Sequence, residues 1–302
     1  MKINDLKDFK AKYKSDIFFD FDIKKLNWFN IGGKTKVFFK PKSLKELKDF
    51  LVLYSNRGKI FILGLGSNVL FSDKLYNGLV IKLTSTFATL SKLNNDTIIV
   101  GSSCSQKKFA DFAMENNISG FEFMYCIPGS IGGGLKMNSG CFGKEFKDHL
   151  VSLQCIDTNG VIKVIPAGKI KFNYRNIELD EKLIFLSATF KGKVSEKNRI
   201  KLLMNKLLKK KNNSQPSKIK TSGSTFKNPI DQTTKKAWEL IRDSVPDDIK
   251  FGDAEISEKH SNFFINKNNA TFSQMNSLIN FVKKKVKKKT GINISLEIKI
   301  VE

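Results

Sequence analysis

Residues 127–143 read IPGSIGGGLKMNSGCFG, and the rest of the chain is best read outward from them. This stretch carries six of the chain's 20 glycines, with Pro128 near its head and Asn138 inside it. Glycine at this density is expected to leave backbone N–H groups uncovered and to let the main chain approach a ligand closely. An ordinary connection needs one or two such residues, so the stretch suits a cradle for something flat or anionic. A second, shorter glycine loop lies upstream at Gly64, Leu65, Gly66, Ser67 and Asn68. It is not the dinucleotide fingerprint of a doubly wound fold, because Val69 stands where a third glycine is needed and no helix pattern follows. Val69–Phe71 reads as a strand instead, so an anion there would be met by loop amides.

Composition narrows the classes. A chain of 302 residues, 40% hydrophobic, can bury a real core and divides naturally into two or three domains. No apolar run approaches the ~18 residues of a membrane span, and the N-terminal stretch lacks the apolar core of a secretory signal. Cys104, Cys126, Cys141 and Cys155 form no C-x-x-C pair, and only His149 and His260 are available beside them. No metal site is expected, and free thiols point to a reducing cytoplasm. The formal charge of +24 invites a nucleic-acid reading. The excess is mostly lysine, spread over nearly every predicted surface among abundant Asn, Ile and Phe, which suits a solvated surface better than a polyanion patch.

Residues 1–21 read as a lysine-rich arm or helix. WFNIGG (28–33) turns into a strand at Val37–Phe39, and Ser43 opens a helix with a capping box to Glu46. Strands follow at Ile60–Leu63, Val69–Phe71 and, after a turn at Asn77-Gly78, Leu79–Leu83. Ile98–Gly101 is a strand and Ser105–Asn117 a helix. His149–Asp157 and Val161–Ile165 form a hairpin about Thr158-Asn159-Gly160, and Leu183–Phe190 is a further strand. A composition shift near residues 192–198 marks a domain boundary. Beyond it, Ser195–Lys211 reads as a helix burying Ile200, Leu203, Met204, Leu207 and Leu208. A strand near His260–Ile265 precedes a long helix from Thr271, whose lysine run Lys283–Lys289 suits the helix dipole before Gly291. In the last stretch Ile292, Ile294, Leu296, Ile298 and Ile300 share one face of a strand, which aims Glu297 the other way.

In order along the chain, WFNIGG (28–33), LGLGSNVLFSD (63–73), GFEFMYCIPGSIGGGLKMNSGCFG (120–143), NYRN (173–176), SGSTFKNP (222–229), SEKHSNFFIN (257–266) and GINISLEIKIVE (291–302) resemble the UDP-N-acetylenolpyruvoylglucosamine reductase family, in its shorter subtype. The resemblance covers about residues 22–302. It implies an α+β fold: a two-subdomain FAD-binding region of the vanillyl-alcohol-oxidase (PCMH) type over 22–194, and a C-terminal α/β substrate-binding domain over 195–302. It also implies non-covalent FAD, NADPH as co-substrate, and reduction of a UDP-sugar enolpyruvyl ether, without nucleic-acid or membrane partners and as a monomer. Gly64, Gly66, Ser67, Asn68, Ile127, Pro128, Gly129, Ser130, Gly132, Gly133 and Asn138 would hold the flavin. Arg175 would bind the substrate carboxylate, Ser224 would donate the proton and Glu297 would orient or polarise. Tyr174, Lys211, Gln215 and Lys218 would contact substrate, while His260 would anchor the fold.

Read without the resemblance, these residues keep blander alternatives. A Tyr-Arg pair on an edge strand suits a surface ion pair, a serine after glycine suits a turn, and a strand glutamate suits a cross-strand charge partner. Another FAD oxidoreductase of the same fold, or a basic nucleic-acid-binding protein, would share parts of the pattern. The chain departs from the family's usual residues at Ser130, Gly134, Ser139 and Cys141, all small, and at Asp253, where glycine is usual.

Overall fold

The computed structural model describes residues 3–54 and 57–302. The chain forms two compact units: Met1–Phe19, Lys36–Leu65 and Asn77–Lys210 make the first, and Asp20–Thr35, Gly66–Tyr76 and Lys211–Glu302 the second.

One core of the first unit forms where the strand Lys34–Lys40 turns Val37 and Phe39 toward the helix Leu44–Tyr54. The rings of Phe39 and Phe50 stack there with centroids 4.0 Å apart. Ser43 caps that helix, its Oγ accepting from the Glu46 amide at 3.1 Å. The expected return bond is replaced: the Glu46 carboxylate accepts from the Lys42 amide at 2.6 Å and from the Ser15 hydroxyl. Those donors let Glu46 sit only 2% exposed. Of the arm or helix expected at the N-terminus, the structure has the helix. That helix, Ile3–Tyr13, buries Leu6 and Phe9 in this core, each burial contributing roughly 1.5–3 kcal/mol. Asp16–Asp22 then edges a four-stranded sheet continued by Lys34–Lys40, Tyr76–Ile81 and Lys59–Ile62. Asn77 and Gly78, expected to turn, lie inside Tyr76–Ile81, where Gly78 pairs with Lys59. The apolar run Leu79–Ile81 and its parallel partner outweigh the local turn preference of Asn-Gly.

The unit's other core lies on a five-stranded antiparallel sheet in the order Ile162–Pro166, Leu150–Ile156, Ile184–Lys191, Thr97–Gly101, Leu90–Lys92. The expected hairpin joins its first two strands. The helix Gln106–Glu115, capped by Ser105, contributes Phe109, Ala110 and Ala113, and the glycine stretch contributes Ile131 and Leu135. The helix Lys197–Ser214 buries Ile200 and Met204, with Leu207 half-buried against them. Leu203, expected inward, is 42% exposed, because the buried stripe is only two residues wide.

The second unit packs the helices Ala237–Ser244 and Phe272–Thr290 with a three-stranded sheet of Lys250–Phe251, Ala254–Ile256 and Phe264–Asn266. Thr271 and Gln274 form a reciprocal capping box on the long helix, and Gly291 ends it at φ +75°. Segments far away in sequence complete this core. Phe29, Ile31 and Leu70 are fully buried in it, and Val69–Phe71 pairs in parallel with Lys299–Val301. Asn266 Nδ2 donates to the Phe29 carbonyl at 2.8 Å. Asp253 caps a loop, its carboxylate accepting from Asn268 Nδ2 and the Asn269 amide.

Only Lys299–Val301 of the expected last strand is ladder-paired. Residues 292–298 nevertheless keep the expected face, with Ile294 and Ile298 buried and Ile292, Leu296 and Ile300 packed on the same core. Their backbone is held by the segment around Phe226 through single bonds and one bridge, Phe226–Leu296.

Candidate active site

The stretch 127–143 is three pieces in one: a loop, the short helix Ile131–Lys136 capped by Ser130, and a hairpin pairing Gly140–Cys141 with Lys144–Glu145. The hairpin turns on Phe142 and Gly143, both at positive φ (54° and 79°), as a two-residue type I′ turn requires. The expectation of uncovered amides holds only in part. The Ile131 amide donates to the Cys104 carbonyl at 2.8 Å, Gly132 to the Ser102 carbonyl at 2.8 Å and Gly133 to Ser130 Oγ at 3.2 Å. What the glycines supply instead is closeness and a bare face. Gly132 is half-buried against Ser102 and Gly133 is exposed, so this side of the helix offers backbone without side chains.

The two glycine segments meet. A Cβ on Gly64 would lie 2.6 Å from Ser130 Oγ. The Gly64 carbonyl accepts from Lys82 Nζ at 2.5 Å, and burial, with Lys40 nearby adding to it, holds that amine below the ordinary lysine pKa. Nothing in the sequence singled out Lys82. Below the bare helix face, Ser102 Oγ is buried without a hydrogen-bond partner. A flat, anionic cofactor fits these features, since they combine small residues, close backbone approach and a buried hydroxyl left over. Such a group would lie against Gly64, Gly132, Gly133 and Ser130.

At Leu65–Gly66 the chain passes from the first unit to the second. Gly66 sits at φ +72°, and a Cβ there would meet the Leu26 carbonyl oxygen at 2.1 Å. Its own carbonyl accepts from the Trp28 amide at 2.9 Å. Asn68 Nδ2 donates to the Glu297 carbonyl at 3.0 Å, and the Lys299 amide donates to the Asn68 carbonyl at 2.9 Å. Asn68 thus ties the short glycine loop to the segment carrying Glu297.

Ser224 lies on the neighbouring segment. Gly223 precedes it at φ +77°, and Ser224 forms an isolated bridge with Phe263. The Glu297 amide donates to the Thr225 carbonyl at 2.9 Å, which sets the serine and glutamate segments side by side. Asn262, 4% exposed, clamps this strip: its side chain exchanges two bonds with Phe226, at 2.9 and 2.8 Å, and its carbonyl accepts from the Thr225 amide. His260 supports Asn262, its Nδ1 accepting from the Asn262 amide at 3.2 Å. Burial pushes the His260 pKa down, and its ring packs edge-on to Phe263.

Arg175 belongs to the first unit. It is not on an edge strand but at the second position of the two-residue turn joining Lys171–Asn173 to Asn176–Glu178, at φ +56°. A side chain other than glycine at positive φ stores strain, a frequent feature of functional sites. The guanidinium lies over the Tyr174 ring at 4.9 Å, and Nη2 donates to the Gly140 carbonyl at 2.8 Å. Asn138, expected to contact a ligand, is fully buried and spends both amide hydrogens within the chain, on Glu145 Oε2 and on the Asn173 carbonyl. Lys211 is near the end of the helix Lys197–Ser214, Gln215 follows it, and Lys218 is exposed at φ +58°.

A family model described as an FAD binding domain matches residues 35–165, and one described as the C-terminal domain of UDP-N-acetylenolpyruvoylglucosamine reductase matches 215–301. The UDP-N-acetylenolpyruvoylglucosamine reductase of Pelagibacter ubique is 59% identical over 302 residues, all of both chains. The chain belongs to the UDP-N-acetylenolpyruvoylglucosamine reductase family. The reductase of Rickettsia typhi is 40% identical over 290 residues, 96% of each chain. The crystal structure of the Thermus caldophilus enzyme superposes with a TM-score of 0.81 at 25% identity, covering 95% of this chain and 99% of that one. The fold is therefore the family's, an FAD-binding region with the family's C-terminal domain, and the chain is a flavin-dependent oxidoreductase. Among the described residues no helix is long and apolar enough to cross a membrane.

Proposed function

We propose that the chain catalyses the NADPH-dependent reduction of UDP-N-acetyl-3-O-(1-carboxyvinyl)glucosamine to UDP-N-acetylmuramate. The observation that carries this reading is the adjacency of the Ser224 and Glu297 segments in one unit, with Asn68 of the cofactor loop bonded to the Glu297 carbonyl. FAD, held non-covalently by the glycine segments, would supply the hydride chemistry that links NADPH to the terminal methylene carbon of the vinyl ether.

The chain's own residues handle the charge and the proton. Arg175 binds the substrate carboxylate with its planar fork and stabilises the negative charge that builds at the α-carbon. Ser224 gives its hydroxyl proton to that carbon, so the C=C bond gains one hydride and one proton while NADPH becomes NADP⁺. A hydroxyl is a weak acid, so Ser224 works only where water is excluded and its alkoxide meets positive charge. Glu297 orients the enolate, and Tyr174 backs Arg175. Lys211, Gln215 and Lys218 meet the nucleotide phosphates. The four free thiols support a reducing, cytoplasmic setting.

The test separates the two halves of the reaction. The purified protein should show a flavin band that NADPH bleaches and the enolpyruvyl substrate restores. Ser224→Ala should leave bleaching nearly intact and slow the restoration by about 10²-fold or more, in line with loss of a general acid. Equal loss in both halves would make Ser224 structural. Failure of the substrate to reoxidise the reduced wild-type flavin would sink the reading.

A further inference from the structure

We propose that Glu145 is the positioning residue for Arg175, an inference that rests on the role of Arg175 just proposed. Two groups that face the guanidinium are cross-strand partners. Gly140 and Glu145 pair directly in their short hairpin, with the Gly140 carbonyl accepting from Nη2 at 2.8 Å and Glu145 Oε1 standing 3.7 Å from Nη1. The Tyr174 ring, 4.9 Å from the guanidinium carbon, supports its face. A carbonyl, a carboxylate and an aromatic face together define the orientation of a planar cation.

Glu145 is itself held from several directions. Its Oε2 accepts from Asn138 Nδ2 at 2.9 Å and from Lys147 Nζ at 3.0 Å. Its amide donates to Asp148 Oδ2 at 2.9 Å in a reciprocal capping box. Asn138, at φ +40°, also reaches the Asn173 carbonyl in the hairpin that carries Arg175. The result is a closed circuit through Asn173, Asn138, Glu145 and Arg175 that joins the two hairpins. Gly140 is required for it, because a Cβ there would meet the Lys144 carbonyl oxygen at 2.1 Å and Glu145 Cγ at 2.8 Å. The side chains of Arg175 and Glu145 are only 17% and 21% exposed, so solvent screens their attraction less than that of a surface pair. At 3.7 Å the contact is electrostatic more than a hydrogen bond. Glu145 therefore helps fix the orientation of an arginine held at positive φ, which is the pre-organisation a carboxylate-binding group needs.

The holoenzyme variants Glu145→Gln, Arg175→Lys and the double variant provide the test, using UDP-N-acetylenolpyruvoylglucosamine to reoxidise enzyme previously reduced with NADPH. Glu145→Gln keeps the size and one acceptor oxygen for Asn138 but removes the charge and the second acceptor that faces the guanidinium. It should leave FAD content, melting temperature and flavin reduction unchanged, while weakening the dependence of reoxidation on substrate by roughly 10-fold, the scale of a small misplacement of a reacting group. Arg175→Lys should slow reoxidation more, and adding Glu145→Gln to it should change little, because the glutamate acts through the arginine. If Arg175→Lys reoxidises normally, the role given to Arg175 fails and this inference falls with it. If Arg175→Lys is slow but Glu145→Gln is normal, the positioning role alone is overturned. Equal losses in both half-reactions, or FAD loss with a lowered melting temperature, would overturn it in favour of a folding role.

Discussion

Gly64→Ala probes whether the two glycine segments form one cofactor cradle. The added Cβ would stand 2.6 Å from Ser130 Oγ, so relief to ordinary contact requires about 0.8 Å of movement. Ser130 is 3% exposed and has little room to give it. Overpacking of this kind costs about 2 kcal/mol. If the hydroxyl swings away instead, the cap on the Gly133 amide is lost, at about 1 kcal/mol. Ser130→Ala loses the same cap but removes the obstacle, since the next atom, Ser130 Cβ, lies 3.7 Å from the new methyl in ordinary contact. The double variant should therefore be about as stable as Ser130→Ala alone, a departure from additivity of about 2 kcal/mol. Urea unfolding measures the stability, and FAD titration of the apoprotein measures the cradle. Gly64→Ala should weaken FAD, and Ser130→Ala on top of it should restore most of the affinity. If the double variant shows the sum of the two single losses in both assays, Gly64 and Ser130 do not share one surface and the reasoning is wrong.

Two further outcomes follow from the same geometry. Gly134→Ala should destabilise the first unit by about 1–3 kcal/mol, because its Cβ would stand 2.4 Å from Phe146 Cζ; thermal melts should show a smaller penalty in a Phe146→Leu background. His260, whose folded pKa is lowered by burial, stays neutral while the unfolded imidazole takes up a proton below its ordinary pKa of about 6.5. The unfolded state then binds more protons, so this site costs stability as pH falls from about 6.5 toward the folded pKa and costs none above it. His260→Gln should flatten that part of the acid limb, and an unchanged pH dependence would show that the ring is not buried as described.

Whether a feature could be read in the sequence depended on where its partners lie. The helix Phe272–Thr290 was legible because its signals are local: Thr271 at the start, Met275, Leu278, Ile279, Val282 and Val286 inward, and Gly291 at the end. The hairpin about Asn159-Gly160 was legible for the same reason. The stretch 292–300 showed its buried face, but no local signal says that residues 292–298 would be held by single bonds to the Phe226 segment instead of by a ladder. Arg175 was found through its motif, while its positive φ and the turn that carries it come from the pairing of flanking strands. Lys82 and Glu145 were missed because a lone lysine or glutamate carries no periodic or spacing signal. The pairing of Glu145 with Gly140 comes from the two-residue turn at Phe142-Gly143, which shows only in the backbone.

The division of labour among the glycines follows from how the chain is threaded. Residues 20–35 and 66–76 precede most of the first unit in sequence, yet they complete the core of the second, through Phe29, Ile31, Leu70 and the strand paired with Lys299–Val301. The short glycine loop is thereby divided between the two units. Gly64 is fixed by Ser130 and Lys82 in the first, whereas Gly66 and Asn68 are fixed by Trp28, Glu297 and Lys299 in the second. A change in this loop reaches the second unit as well, because Asn68 is bonded to the backbone of Glu297 itself. The long stretch 127–143 is different, since its anchors, Ser102, Cys104, Gln106 and Phe146, all belong to the first unit. Its glycines serve packing and a bare helix face, and Gly140 joins its last residues to the circuit that holds Arg175.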